Sequence, residues 1–522
     1  MKKALLWAVL VLLSPFLLFA ILTALLYLPP VQNWAVDKVA EIASEETGMQ
    51  ITVGHVDLKF PLDLSVDDVL VTRPVFPPDT IACIGRAVVD VQLLPLLQKQ
   101  VVVDELTLEQ ARINTFDFIS DLQISGFVGR LTVASHGIDL GNGTVQLNGA
   151  QLSDADVLVV LSDTAAVDTT TSEVPWLINI DSLNILRSRV EVHMPGDTMQ
   201  VTATMGRLTA SEGKVDLLNG IYSVHSPNWQ DGTLTYDQTR EPRILQGLDY
   251  NHLALSKVNI GLDSVYYSDP NLSVKVRNAA LKEQSGLEIT RLSGGVLLDS
   301  TGIRLPNMLL STSYSNIRTR VEMDFDAFDD VNPGQLHADI QASIGKQDLL
   351  LFMADAPERL RTKWPEWPLS IEGSIDGNLK EASIDHLDIT LPTAFHLNAT
   401  GTVGNPLDTD RLKTQLDLQA EAYSLDFATA LLPPEAANGL RLAKSLRLKG
   451  NIDVDGQRYK ADLTANQDDG TVKARGWLNA RNMSYEADVD VRNLNLHHLM
   501  PVIELYELTA QAKAKGQGTD FF

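Results

Sequence analysis

Cysteine is almost missing from this chain: Cys83 is the only one in 522 residues. A single thiol excludes an intramolecular disulfide framework and a cysteine-rich metal site. Flanked by Ile81 and Ile84, it reads as a small buried apolar residue in preference to a reactive thiol. Basic clusters are missing too. The 42 Lys+Arg stand against 67 Asp+Glu, for a net charge of -25. No run of cations is available to neutralise phosphates, which argues against nucleic acid and against polybasic docking on anionic lipid. Aromatics supply only 6% of the residues, so large core-filling side chains are scarce.

Catalytic signatures are equally absent. There is no G-x-S-x-G, no G-x-x-x-x-G-K and no H-E-x-x-H. Gly141-Asn142-Gly143 has Gln146 where a dinucleotide fingerprint needs its third glycine, and reads as a hairpin turn. The acidic group Asp324, Asp326, Asp329 and Asp330 lacks the glycine and distal Glu of a calcium loop, and resembles a solvated strand face. His497 and His498 occupy a repeated helix whose other copy holds Asp426 and Phe427, which favours surface or packing roles over metal ligation. Trp364 and Trp367 read as part of a connector packed over a sheet edge rather than as a ligand clamp. No enzymatic activity, metal or cofactor is expected.

What the chain does have is one long uncharged run. Residues 4–28 contain no charged side chain and exceed the about 20 apolar residues a membrane-spanning helix needs. Leu5, Leu6, Trp7, Leu12, Phe16, Phe19, Leu25 and Leu28 supply its anchoring side chains. A cleaved signal has a shorter apolar region, and Ala20 and Ala24 have the wrong spacing for its cleavage site. An uncleaved anchor over 1–30 is therefore expected. Lys2 and Lys3 precede the run while Asp37, Glu41, Glu45 and Glu46 follow it, which places the amino terminus in the cytoplasm and the bulk on the far side. Val31, Trp34, Ala35, Val39 and Ile42 then recur at helical spacing and stop at Gly48, predicting an amphipathic helix over 31–48.

From residue 49 the period becomes two. Val56, Leu58, Phe60, Leu62, Leu64 and Val66 alternate with mostly polar neighbours, so one face is apolar and the other wet. The pattern returns at Val89, Val91 and Leu93, at Val190, Val192 and Met194, at Val258, Ile260 and Leu262, at Leu272, Val274 and Val276, and at Val321, Met323 and Phe325. Turn signals such as Asn142-Gly143, Asp231-Gly232, Asp376-Gly377, Asp455-Gly456 and Asp469-Gly470 separate many of these strands. Residues 163–173, DTAAVDTTTSE, read as a mobile surface loop within a first sheet portion over 49–345. A short helix started by Asp348 opens the portion over 346–522. There, ADIQASIGKQD at 338–348, LDLQAEAYSLD at 416–426 and ADVDVRNLNLH at 487–497 align without a gap, each a strand running into a short helix. The third copy has reached only its opening strand at Phe522, so an amino-terminal fragment of a longer protein is expected.

A β-sandwich would also explain alternating strands. Alternation that persists without domain-sized breaks, internal repetition and few aromatics favour instead a long twisted antiparallel β-sheet groove. The expectation is a repeating open trough of roughly 30 rungs, with an apolar concave wall. Such a wall needs an occupant, and an acyl chain fits it. Its candidate lining is Val56, Leu58, Phe60, Leu62, Leu64, Val66, Val89, Val91, Leu93, Val190, Val192, Val258, Ile260, Leu262, Val321, Met323 and Phe325.

Residues 29–71, PPVQNWAVDKVAEIASEETGMQITVGHVDLKFPLDLSVDDVLV, carry a family resemblance. So do Leu93-Leu94-Pro95-Leu96-Leu97, the stretch from Val103 to Ile113, the strand opening at Pro175-Trp176-Leu177-Ile178-Asn179-Ile180, and the strand-to-helix repeats near Asp426 and His497. Together they resemble the AsmA-like family, in its long TamB branch. The resemblance implies a single-pass inner-membrane anchor and a periplasmic β-groove that bridges to the outer membrane. It also implies phospholipid transport along the groove and partnership with an outer-membrane barrel of the Omp85 type, through a carboxy-terminal region that these 522 residues do not include. A lipid-conducting bridge is the first functional expectation. A scaffold that assists outer-membrane protein assembly by offering sheet edges to client strands is the alternative.

Overall fold

Alternating apolar and polar residues favour extended backbone, because each strand can then turn one side to apolar neighbours and the other to water. The computed structural model is accordingly mostly β, with 71% of the described residues in strands and few helices among them. It describes residues 40, 41, 44, 48–59, 63–73, 79–91, 103–116, 122–139, 143–161, 176–329, 331–353, 356–378, 380–406, 408–431, 445–499 and 503–518. The anchor expected at 1–30, with all its named side chains, lies outside these residues. So do most of the helix expected at 31–48, the loop at 163–173, Phe60, Leu62 and Leu93, and the side chains of Leu58 and Val91. Among the described residues no helix is long and apolar enough to cross a membrane.

The chain divides into two units, Met1–Arg243 with Asn251–Ser268, and Ile244–Tyr250 with Asp269–Phe522. The first holds β1 (Gln50–Thr52), β2 (His55–Lys59), β3 (Asp63–Arg73), β4 (Asp79–Val91), β5 (Val103–Asn114), β6 (Leu122–Asp139), β7 (Thr144–Leu161), β8 (Leu177–Met194), β9 (Met199–Asp216), β10 (Ile221–Gln238) and β11 (His252–Ser268). Strands β1 and β2 both pair with β3, and from there each strand pairs with the next in sequence. The sheet is mixed rather than wholly antiparallel, as the sequence pattern suggested, because β7 and β8 run parallel. A parallel pair needs a connection of a dozen or more residues, and the stretch between Leu161 and Leu177 is long enough to supply it.

The second unit holds β12 (Asn271–Glu283), β13 (Glu288–Leu298), β14 (Gly302–Thr312), β15 (Asn316–Asp324), β16 (Leu336–Ile344), β17 (Leu369–Gly377), β18 (Ala382–Leu391), β19 (Phe395–Gly404), β20 (Lys413–Ala422), β21 (Leu446–Asp455), β22 (Arg458–Gln467), β23 (Gly470–Asn479), β24 (Ser484–Leu494) and β25 (Leu508–Gln517). All pair antiparallel with their sequence neighbours. The expected repeats are present. Strand β16 runs into α1 (Lys346–Phe352) and α2 (Glu358–Lys363), β20 into the 3-10 turn η2 (Ala428–Leu431), and β24 into α3 (Leu496–Leu499).

Several local readings change. Asp231-Gly232 is no turn: it sits inside β10, where Asp231 has φ 51°. Helix α1 starts at Lys346, not at Asp348, whose buried carboxylate accepts hydrogen bonds from the Thr312 and Ser315 hydroxyls of the β14–β15 turn. Cys83 is exposed. Its neighbours Ala82 and Ile84 pair with Val71 and Val69 and take the apolar side of β4, so Cys83 points to the other side, between Leu70 and Arg112. Strand β15 ends at Asp324, which leaves Phe325 and Asp326 on the 3-10 turn η1 (Phe325–Phe328).

Candidate functional site

Cross-strand partners share a sheet face, so the register fixes which side chains line up. In the first unit one row crosses ten strands, β2 to β11: Val56, Val66, Ala87, Leu108, Leu131, Leu152, Ile185, Leu208, Trp229 and Ile260. Every member is apolar. A second row passes through Val71, Ala82, Ile113, Gly126, Val157, Val190, Ala203, Leu234 and Leu255. On each strand from β3 to β11 the two rows are five residues apart. A regular pleat keeps one face at even spacings only, so each strand must insert one residue between them.

The insertion occurs in a single column: Asp68, Gly85, Gln110, Gly129, Asp154, Arg187, Gly206 and Asp231 stand opposite one another from β3 to β10. Asp68, Gln110, Asp154, Arg187 and Asp231 have φ between 44° and 57°. This left-handed conformation reverses the alternation, so the apolar side continues beyond it. Glycine supplies the room opposite. A Cβ on Gly129 would lie 2.8 Å from that of Asp154, and one on Gly206 2.9 Å from that of Asp231. Where β7 and β8 run parallel, both positions are left-handed. There Arg187 donates to both Asp154 oxygens at 2.7 Å and holds that carboxyl below its usual range.

The second unit carries a longer row, one residue from each of its fourteen strands. It runs Ala279, Leu292, Leu310, Ile317, Ala342, Ile371 and Ile389, then Leu397, Ala420, Leu448, Ala465, Val472, Val491 and Ala510. The next residues along the strands face the other way and are polar from β15 onward: Arg318, Gln341, Glu372, Asp388, Asn398, Gln419, Lys449, Thr464, Lys473, Asp490 and Gln511. One side is therefore continuous hydrocarbon and the other a polar ladder.

Burial shows whether the apolar side is sealed. Of the fourteen-residue row only Ala279 and Ala342 are buried, and of the ten-residue row only Val56. A sandwich interior would bury nearly all of them. Over β21 to β24 the same face sinks into a depression of about 420 Å³, whose apolar lining includes Ile452, Tyr459, Leu463, Leu478, Tyr485 and Val489. At one margin, however, it is closed. Leu360 of α2 and Phe427 and Ala430 at η2 pack with Leu391 and Ala394, against Trp364, Leu369 and Phe395, and Leu391 is 0% exposed. Trp364 meets Phe427 edge-on at 5.1 Å, as expected of a packed connector, while Trp367 stays exposed.

The polar side is cross-linked by charge. His337 lies between Asp376 and Asp339, with Nδ1 2.8 Å from one carboxylate oxygen and Nε2 2.9 Å from the other. These hydrogen bonds, Asp376 first, raise its pKa above the ordinary 6.5. A raised folded pKa stabilises the fold fully below the unfolded value, and this contribution disappears as pH rises through the folded one. His337→Gln should thus lower the melting temperature more at about pH 6 than at about pH 9. An equal loss at both pH values would contradict the assignment.

The expected lining residues fall into place unevenly. Val56, Val66, Val190 and Ile260 lie in the rows above, Leu64 pairs with Val89 beside the first, and Val192 pairs with Val201 beside the second. Val258 is buried, 1% exposed, and pairs with Gly232, over which the Trp229 ring lies. Trp229 is held there by Nε1 donating to the Thr204 carbonyl at 3.1 Å. Leu262 continues β11, and Val321 and Met323 line the face of the second unit beside Ala338 and Leu336. Phe325 is off the strand and exposed. The rows also enlist Trp229, Leu131, Leu152 and Leu208, which local alternation alone did not single out. Among the described residues no group of His, Cys, Asp or Glu has metal-ligand geometry.

Fold and face together define an open β-sheet protein with one apolar and one polar side. No family model matches the chain, and no curated protein or solved structure matches it.

Proposed function

We propose that the apolar face is a track for phospholipid acyl chains and that the chain is a membrane-anchored, bridge-like lipid transfer protein without enzymatic activity. The observation that carries this reading is the fourteen-residue row from Ala279 to Ala510, unbroken by any polar side chain and, among the described residues, half-buried rather than sealed over most of its length. Exposed apolar area on that scale needs an occupant. A flexible chain of CH₂ groups gains about 0.8 kcal/mol per group removed from water wherever it lies on such a face. Uniform small gains hold a lipid without trapping it, as transit requires. The anchor, which rests on the uncharged run over residues 4–28, and the periplasmic setting and an Omp85-type barrel partner, which rest on the family resemblance of the sequence, belong to the same proposal.

Photo-crosslinking tests it. Benzophenone side chains at Leu397 and Leu448 should capture phospholipid, identified by mass spectrometry, while the same group at Asn398 and Lys449 on the opposite side should not. Capture of client polypeptide at edge strands, with no lipid on the face, would instead support the assembly-scaffold reading.

A further inference from the structure

Resting on the lipid-track reading, the geometry of the second unit points to a fixed orientation for the bound lipid: headgroups along one margin of the apolar face, acyl ends toward the other. The margins are chemically unlike. Among the described residues, every α-helix of the unit, with η2, lies where β16, β20 and β24 end. At that margin Leu391, Leu369 and Phe395 continue the apolar face and are covered by Leu360 and Phe427. A phosphate placed under that cover would meet packed hydrocarbon and lose its water.

The opposite margin carries the η1 connection between β15 and β16 and, further along, short turns such as Asp455-Gly456-Gln457-Arg458 and Asn479-Ala480-Arg481-Asn482. Tyr459, 43% exposed, and Tyr485 stand there on either side of Leu478 in the outermost apolar row. Tyrosine at such a boundary offers an apolar ring to chains and a hydroxyl to water, as it does at membrane interfaces.

Width decides between one row of headgroups and two. The part of the face beyond that cover, such as Leu397 to Val403 on β19, spans six residues, or about 20 Å at about 3.4 Å each. The hydrocarbon depth of one bilayer leaflet is about 15 Å, and two leaflets need about 30 Å. One lipid length fits across the face and a tail-to-tail pair does not. Lipids on this unit therefore lie along the strands in single file, all with the same polarity.

The test uses the full chain with Cys83→Ser and a fluorophore on a cysteine introduced at either end of β23: Arg481→Cys at the turn margin or Asp469→Cys at the helix margin. Phosphatidylcholine vesicles carry a nitroxide quencher on the headgroup or at the end of an acyl chain. The headgroup nitroxide should quench the probe at 481 several-fold more than that at 469, and the chain-end nitroxide should reverse the order. Equal quenching at both sites, or the opposite order, overturns the orientation while leaving the track intact. No quenching by either lipid at either site overturns the track itself.

Discussion

Leu448→Asp is expected to slow lipid transfer between donor and acceptor vesicles about 100-fold while leaving the protein folded. The estimate follows from position and from the price of charge next to hydrocarbon. Leu448 is the tenth of the fourteen residues in the row, between Ala420 and Ala465, and every lipid moving along the row must cross it. A carboxylate against acyl chains costs about 2.5–3.5 kcal/mol, and each 1.4 kcal/mol added to a barrier is about tenfold in rate. Folding suffers less, because Leu448 is only half-buried and its loss costs about 1–2 kcal/mol. Lys449→Gln is the control. One residue further on, it faces the polar side opposite Gln419 and Thr464, so transfer should proceed at the wild-type rate. A folded Leu448→Asp protein with undiminished transfer would remove the track.

Much of this face can be read from period alone, but its continuity cannot. Alternation assigns Val56, Leu64 and Val66 to one side, and the turn signals at Asp376-Gly377, Asp455-Gly456 and Asp469-Gly470 do separate strands. These are local effects, set by pleat and turn chemistry. The reversal within β3 to β11 is also written locally, once two alternating segments are compared. In β7, Ala150 and Leu152 are even while Val157 and Val159 are odd, with Asp154 between. A strand read in one short window shows only half of that pattern. Asp231-Gly232 misleads for the same reason, since a left-handed residue beside glycine serves a hairpin or a mid-strand reversal equally well. The β7–β8 parallel pair and the place of Trp229 in the row depend on register between distant segments, and no local periodicity encodes register.

The reversal column leads to the second large effect, a contrast between Gly129 and its partner. Gly129→Val should destabilise the first unit by about 2–4 kcal/mol, since a side chain there overpacks a site with no room to relax. Its Cβ would stand 2.8 Å from the Asp154 Cβ and 3.2 Å from the Asp154 and Ser153 carbonyl oxygens, and the backbone oxygens cannot swing away as a flexible side chain could. Asp154→Gly should leave the urea midpoint near that of wild type. Glycine adopts the left-handed conformation without strain, and the Arg187 pair it removes is solvent-exposed and screened. The contrast separates two accounts of the column. If the Asp154–Arg187 pair held the two halves of the face in phase, Asp154→Gly would be the damaging change and Gly129→Val the mild one. If backbone conformation holds them, Gly129→Val does the damage and Asp154→Gly is tolerated. Loss of phase at Gly129 also turns Gly126 and Ile124 away from Val157 and Val159, so the variant should lose acyl-chain crosslinking at Val157 and retain it at Leu448, which lies in the other unit.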